Sequence, residues 1–313
     1  MLPASTALQI LVNGLSSGAV YGLFAMGYAL VFSVLRVINF AHGALFTLGA
    51  YLTVLLLGSR VGSNGLLAGF QLPFECPFWL ALPLAGLGTA AASVAVEAVA
   101  FRPLRRRGAE PLLYLITSLG AGVILVNLLQ ILMGAEGYAI PVDALGALPP
   151  TLRLGGAQVR TVQLVLMAVS ALVLVGLSLW LEASRGGRAV QAVAEDATTA
   201  RLLGIDSEAM IMLCFALSGL LAGISGGLVG LSLSITGPYF GISFGLKALG
   251  VLVLGGMGSI PGAMLGGLIV GLAEALVPGQ WSGYRDAIAY AFLFAMLLLR
   301  PSGLLGRPLP TKV

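Results

Sequence analysis

Long apolar stretches separated by short polar ones dominate this chain. Crossing the hydrocarbon of a membrane takes about 20 apolar residues. Candidate membrane segments lie at roughly 8–33, 40–57, 77–101, 111–133, 161–181, 209–234 and 284–299. The stretch 245–276 is also long, but it is interrupted by GGMGSIPG at 255–262. The interruption predicts two shorter helical pieces joined by a bend, so we expect about eight or nine membrane segments.

The composition supports a membrane protein. Hydrophobic residues make up 58% of the 313, and only 9% are Asp, Glu, Lys or Arg, against about 25% in soluble domains. So few charges cannot cover a soluble surface, which predicts an all-α, polytopic integral membrane protein with one domain over 1–313. The 44 glycines suit close packing of membrane helices. The N-terminus lacks the basic region of a cleavable signal, so we expect the first helix to be retained.

Basic clusters predict the orientation of the chain, because Lys and Arg concentrate on the cytoplasmic side. The densest cluster, FRPLRRR at 101–107, is placed in the cytoplasm, and so is the end of the last helix with Arg300, Arg307 and Lys312. Residues 134–160 then form an external loop and 182–208 a cytoplasmic one. The net charge of +4 is interpreted as orientation information and not as a nucleic-acid surface.

The stretch LRVINFAHGALFTLGAY at 35–51 places polar residues between two apolar segments, including the one histidine of the sequence. Arg36, Asn39 and His42 are spaced by three, so on a helix they would share one face. That face is expected to point at a translocation pathway or a subunit interface. The alternatives are that Arg36 reaches lipid headgroups and Asn39 caps the next helix. For His42 we favour a functional or interface role.

Two Gly-rich stretches are further candidates for the pathway. ITGPYFGISFGLKALG at 235–250 contains Lys247, and GGMGSIPG contains Ser259. Irregular backbone at membrane depth is tolerated where protein or water covers it. The alternatives are interfacial anchoring for the aromatic residues of the first stretch and close helix packing for the second.

Several classes of site are missing from the sequence. The pattern GxxxxGK[ST] of a nucleotide-binding loop is absent, and Cys76 and Cys214 lie far apart. We expect no enzyme activity, no metal and no cofactor in this chain. Glu97 and Glu274 are expected to be helix-end carboxylates that reach towards water. The scarcity of intramembrane acids favours an ATP-driven partner over an ion-coupled secondary carrier, which is the alternative from another class.

The segment SRGGRAVQAVAEDATTARLLGIDSEAMIML at 184–213 is the most polar part of the chain. The spacing predicts a short helix from Arg188 to Leu203, with Gly204 as its stop. Asp206 or Ser207 is expected to cap the following membrane helix. Such a segment suits docking to a partner, and the alternative is an amphipathic connector lying on the membrane surface.

Four motifs together carry a family resemblance: AVAEDATTARLLGID, GGMGSIPGAMLGG, GLSSGAVYGLFAMGYALVF and NFAHG. The chain resembles the permease subunits of branched-chain amino-acid ABC transporters, which are type II-like importers. The resemblance implies that 184–207 is the segment that couples to the ATPase. It implies that Glu195, Asp196, Ala197, Gly204 and Ile205 form the centre of this segment. Arg188 and Arg201 are expected to contact the ATPase or lipid headgroups.

The resemblance also implies the partners and the membrane. These are a second homologous permease, two ATP-binding subunits that hold ATP and Mg²⁺, and a periplasmic or extracellular amino-acid-binding protein, in a bacterial inner membrane. The companion permease usually carries a Leu-Asp-Leu-Gly-like stretch where this chain has VINFAHG at 37–43. The chain is therefore expected to be the shorter, His-containing half of the pair. Related systems for urea, short amides or other amino acids remain alternatives for the solute.

Overall fold

The computed structural model describes residues 4–146, 148–154, 157–300 and 302–306, so the predicted positions of Arg307 and Lys312 lie outside the described residues. The helices are α1 (Ala4–Leu35), α2 (His42–Leu56), α3 (Phe78–Val96), α4 (Arg102–Arg106), α5 (Pro111–Met133), α6 (Thr161–Ala183), α7 (Arg185–Glu195), α8 (Ala197–Leu202), α9 (Ser207–Ser232), α10 (Phe240–Gly255), α11 (Ile260–Ala275) and α12 (Arg285–Leu299). A π-helical turn, Glu97–Phe101, joins α3 to α4, and 3₁₀ turns cover Val142–Leu145 and Gly279–Tyr284. A small antiparallel hairpin pairs β1 (Thr151–Leu154) with β2 (Ala157–Arg160), with Thr151 opposite Arg160.

The expected all-α membrane architecture is confirmed. Within the described ranges, six helical segments are long and apolar enough to cross a membrane. Helices α10 and α11 form a further pair bent by 116°, and α2 is a shorter apolar helix. Counted as one span, the bent pair raises the number of candidate spans in the described part of the chain to seven, and its break lies at the predicted GGMGSIPG. This is fewer than the eight or nine expected, because α2 has only 15 residues and a helix needs about 20 to cross the hydrocarbon.

The described residues divide into two compact units. The first takes its residues from Met1–Ser33, Pro149–Arg188 and Lys247–Val313. Inside it, α1 packs directly along α11, because a Cβ at Gly14 would meet Leu272, one at Gly18 would meet Gly267, and one at Gly22 would meet Met264. The residue numbers of the contacted positions in α11 fall as those in α1 rise, so the two helices are antiparallel. Small residues allow this close approach of the two backbones.

The second unit takes its residues from Val34–Leu148 and Ala189–Leu246. Its centre is α9, which packs on α2 and α3. A Cβ added at Gly49 of α2 would collide with Gly223 of α9. Against α3 the packing is antiparallel, since Gly86 lies beside Ile224 while the Ser93 hydroxyl donates to the Phe215 carbonyl at 2.7 Å.

Within the second unit, the predicted external loop is hydrogen-bonded to the loop between α2 and α3. The Glu136 carboxylate accepts hydrogen bonds from the Ser63 hydroxyl at 2.7 Å and from the Ser63 amide at 3.1 Å. It also accepts one from the Asn64 side chain at 2.8 Å. The Ser63 hydroxyl is the main cause of a lowered pKa for Glu136, and the amide and Asn64 add to the effect.

The expectation that Glu97 and Glu274 reach towards water is wrong. Glu97 is fully buried and Glu274 is 6% exposed. Glu97 forms ion pairs with Arg102 at 3.0 Å and Arg105 at 2.7 Å. Glu274 pairs with Lys247 at 3.2 Å. Both carboxylates lie in the protein interior because basic partners are there to compensate the loss of hydration.

Candidate functional site: the polar break and the coupling segment

The polar break between α1 and α2, residues 36–41, is not helical. Helix α1 ends at Leu35, Arg36 has a left-handed backbone with φ of +56°, and α2 begins at His42. The expectation that Arg36, Asn39 and His42 share one helix face is therefore wrong. The left-handed residue turns the chain out of the helix path, so spacing by three no longer places side chains in one row.

Asn39 and His42 are both buried and hold the start of α2. The Asn39 side-chain oxygen accepts from the Ala41 amide at 3.1 Å, which forms a turn ahead of the helix. The helix cap itself is Ala41, which makes no side-chain capping bond, so Asn39 does not cap α2. His42 is fully buried and its Nδ1 lies 3.2 Å from the Ser218 hydroxyl of α9. Its ring therefore contacts the α9 packing surface, and its role in transport stays a prediction.

Arg36 connects the polar break to the last turn of α7. Its side chain donates from Nη2 to the Ala194 carbonyl at 3.0 Å, across 158 positions of sequence. A cation at the carboxyl end of a helix is favoured by the exposed carbonyls there. The structure thus brings together two features that the sequence indicated separately.

The coupling segment, residues 184–207, contains two helices instead of the single predicted one. Helix α7 ends at Glu195, and Asp196 caps α8. One Asp196 oxygen accepts from the amides of Thr198 at 2.8 Å and Thr199 at 3.2 Å, and the other accepts from the Thr199 hydroxyl at 2.6 Å. The prediction of one helix is wrong because an aspartate side chain competes for backbone donors and favours a helix start. The same bonds, led by the Thr199 hydroxyl, lower the pKa of Asp196.

The predicted stop at Gly204 is confirmed. Gly204 has φ of +84°, and its amide donates to the Arg201 carbonyl at 3.0 Å. The Ile205 amide donates to the Ala200 carbonyl, also at 3.0 Å. These two bonds are the Schellman pattern that closes a helix at a left-handed residue. Asp206 then caps α9 by accepting from the amides of Glu208 and Ala209, as predicted.

The predicted central residues of this segment lie at or near its surface. Glu195, Asp196 and Gly204 are exposed, and Ala197 and Ile205 are half-buried. Sequence reasoning missed Leu202 and Leu203, which are 85% and 75% exposed beside the Gly204 turn. The signal was present, because both leucines lie outside the one face formed by the apolar positions of the predicted helix, which are Val190, Val193, Ala197 and Ala200.

The two arginines of the segment have intramolecular contacts in the structure. Arg188 donates from Nη1 to the Ala183 carbonyl at the end of α6, at 3.0 Å. Arg201 is half exposed, and its Nη2 lies 3.9 Å from a Glu208 carboxylate oxygen. Their predicted contacts with an ATPase or with headgroups stay predictions.

A group of charges that we call the ion cluster lies where the coupling segment meets α9. Its members are Glu97, Arg102, Arg105 and Glu208. Arg105 binds Glu208 through two nitrogens, at 3.0 Å from Nε and 2.8 Å from Nη2. The same Nη2 lies 2.7 Å from Glu97. Two cationic side chains thus hold two carboxylates from different membrane segments.

Lys247 and Ser259, the two pathway candidates of the first unit, also have structural partners. The Lys247 ammonium lies 3.2 Å from Glu274 and 2.7 Å from Asp286, over the ring of Tyr21. Ser259 caps α11 by accepting from the Gly262 amide at 3.1 Å. Both residues fix the bent pair, α10 and α11, and their place in a pathway stays a prediction.

Known proteins resemble this chain over almost its whole length. It is 38% identical to the high-affinity branched-chain amino acid transport system permease protein BraD of Pseudomonas aeruginosa, over 98% of each chain. It is 35% identical to the corresponding protein LivH of Escherichia coli, over 98% of this chain and 97% of LivH. The permease protein LivM of Escherichia coli is 28% identical, and the match covers 93% of this chain but 69% of LivM. The chain thus matches the shorter LivH type, as expected.

A family model described as branched-chain amino acid transport system / permease component matches residues 10–300. Among solved structures, PsaBC from Streptococcus pneumoniae in complex with Fab superposes with a TM-score of 0.46 at 14% identity, over 95% of this chain and 92% of that chain. That distant likeness carries no argument about function. The match to the family model covers most of the chain, which therefore belongs to the family of branched-chain amino acid transport system permease components.

Proposed function

We propose that this chain is the shorter permease of an ATP-driven importer of branched-chain amino acids in a bacterial inner membrane. The observation that carries the proposal is the coupling segment, a capped pair of helices, α7 and α8, whose tip exposes Leu202 and Leu203. The names and near full-length similarity of BraD and LivH support the solute class.

The tip of the coupling segment has the properties of a docking element. Helix α8 is closed at one end by the Asp196 cap and at the other by the Gly204 turn. A rigid, preformed element loses little conformational freedom when it binds. Leu202 and Leu203 provide apolar area at the tip, and a cleft on an ATP-binding subunit would remove them from water.

The solute would cross beside non-helical backbone. The bent pair interrupts its helices at 256–259, and the polar break interrupts the chain between α1 and α2. Non-helical backbone at membrane depth needs cover from protein or a water-filled cavity. We therefore keep Arg36, Asn39 and His42 of the break, and Lys247 and Ser259 of the bent pair, as residues of the proposed pathway.

The proposed assembly contains a second, homologous permease, two ATP-binding subunits that hold ATP and Mg²⁺, and an amino-acid-binding protein outside. The LivM permease similarity supports a homologous partner of this kind. The ATPase cleft would receive the coupling segment, while the binding protein would deliver the solute.

Co-purification and uptake test the proposal. A tagged chain expressed with candidate ATP-binding subunits and a second permease from the same genome is expected to retain the ATPase subunits. Proteoliposomes of the complex are expected to take up labelled leucine only when ATP is on the side of the membrane that carries the ATP-binding subunits. Leu202→Ser/Leu203→Ser should release the ATPase. Leu66→Ser, at a leucine 76% exposed in the loop between α2 and α3, should not. Uptake driven by an ion gradient without ATP would refute the proposal.

A further inference from the structure

The ion cluster lies between the coupling segment and the membrane helices of the second unit. On one side, the Ser207 hydroxyl donates to the Ala197 carbonyl at 3.0 Å, which ties α9 to the start of α8. Arg201 of α8 approaches Glu208 of α9. The first turn of α9 is therefore attached to the coupling segment by a hydrogen bond and by charge.

On the other side, the cluster reaches the buried end of α3. Glu97 begins the π-helical turn after α3 and its side chain is fully buried. Insertions of this kind are frequent at functional sites. Helix α3 packs antiparallel against α9 through Gly86, Thr89 and Gly219. A displacement that moves the end of α3 and the start of α9 together would move the two helices as one body.

Arg105 is the residue that contacts both sides at short range. Its guanidinium spans Glu208 at 2.8 Å and Glu97 at 2.7 Å. The planar guanidinium presents several donors in fixed directions, and a lysine ammonium cannot reproduce the paired contact. Arg102 is the weaker bridge, since its distance to Glu208 is 3.8 Å.

We propose that Arg105 is a positioning residue of the transport cycle, which holds the start of α9 to the end of α3 so that movement of the coupling segment is passed to both helices. The inference rests on the proposed function. Loss of Arg105 then leaves a complex that still binds and hydrolyses ATP but moves less solute for each ATP. The cluster acts through the helices and does not contact the solute.

The structure offers variants that keep the fold. In Arg105→Gln, Arg102 still pairs with the buried Glu97 at 3.0 Å, and Glu208 is 35% exposed and can be hydrated. Arg105→Lys keeps the charge and loses the paired geometry. Arg107→Gln is the matched control, because Arg107 belongs to the same basic run and is exposed.

The test measures leucine uptake and ATP hydrolysis in the same proteoliposomes of the whole complex, including the binding protein. We expect Arg105→Gln to assemble and hydrolyse ATP as the wild type does, with uptake per ATP reduced about tenfold. The uptake per ATP of Arg105→Lys should lie between those of Arg105→Gln and the wild type, and that of Arg107→Gln should match the wild type. Adding Glu208→Gln to Arg105→Gln should reduce uptake per ATP little further, because both substitutions remove the same contact between Arg105 and Glu208.

The outcomes separate this inference from the proposed function. If the wild type and Arg107→Gln take up leucine with ATP while Arg105→Gln shows an unchanged ratio of uptake to ATP, the positioning role is refuted and the importer remains. A parallel loss of uptake and hydrolysis in Arg105→Gln would also refute it, since that indicates a structural defect. If the wild type shows no ATP-driven uptake, the proposed function fails and the inference fails with it.

Discussion

Replacing Lys247 with methionine should destabilise the protein strongly, because it removes a cation from a buried carboxylate. Glu274 is 6% exposed, and Lys247 lies 3.2 Å from it. Removing one partner of a buried ion pair costs about 3–5 kcal/mol. Asp286, the second partner of Lys247, has a side chain that is 53% exposed and can be hydrated, so its loss of a partner adds little.

The magnitude should fall at the lower end of that range. The Tyr21 hydroxyl donates to Glu274 at 2.8 Å, and a hydrogen bond to a charged group contributes about 1.5–3 kcal/mol. We therefore expect Lys247→Met to lower the free energy of unfolding by about 3 kcal/mol. Lys247→Met/Glu274→Gln removes both charges and keeps a partner for Tyr21, so it should lie within about 1 kcal/mol of the wild type.

Equilibrium unfolding of the purified protein in detergent micelles measures these differences. Leu246→Met is the control for a methionine in this helix, since Leu246 is 43% exposed beside Lys247, and it should change little. The reasoning is refuted if the double variant is as unstable as Lys247→Met. That result would show that the cost comes from lost packing of the lysine side chain and not from an uncompensated charge.

Three further experiments test the packing, the polar break and the predicted external loop. Gly49→Ala would push a Cβ into the facing glycine of α9 and should cost about 1–3 kcal/mol in the same unfolding assay. Gly120→Ala, where nothing lies within 4 Å, should instead gain up to about 1 kcal/mol, and equal effects would contradict the packing. Arg36→Gly should be more stable than Arg36→Ala by about 1 kcal/mol, because both lose the side-chain contact but only glycine relieves the left-handed backbone at φ +56°; equal stabilities would argue against that backbone. The folded pKa of Glu136 is lowered, so its stabilisation is complete above the ordinary glutamate pKa and is lost only as pH falls through the lower folded value. Limited proteolysis of the loop should therefore increase as pH falls below the ordinary glutamate range, while Glu136→Gln should be cleaved sooner at neutral pH and should lack this pH dependence.

The membrane segments could be predicted well from sequence because their signal is local. The segment predicted at 111–133 is α5 at Pro111–Met133, and the one predicted at 161–181 is α6 at Thr161–Ala183. The bend at GGMGSIPG was also predicted, since Gly and Pro end helices through their own backbone properties. The Gly204 stop and the Asp206 cap follow from the same local chemistry.

Pairings between distant residues could not be predicted in this way. The partner of Arg36 is 158 positions away and the partner of Arg105 is 103 positions away. Burial of Glu97 depends on the π-helical turn and on the arginines that follow it. Hydropathy alone predicted that this carboxylate lies at a solvent-exposed helix end. The break at Asp196 was missed because an apolar period continues through it. A capping side chain that accepts hydrogen bonds from three donors outweighed that period.

Two arginines of the second unit hold the coupling segment and the start of α9, with different chemistry. Arg36 binds the Ala194 carbonyl at the end of α7, from a backbone that is strained and exposed. Arg105 binds Glu208 at the start of α9 with a buried carboxylate behind it. A neutral carbonyl holds a cation less strongly than two carboxylates do. If the segment moves during transport, the Arg36 contact should open first and the Arg105 contact should persist, so that the polar break is released while α3 and α9 move together.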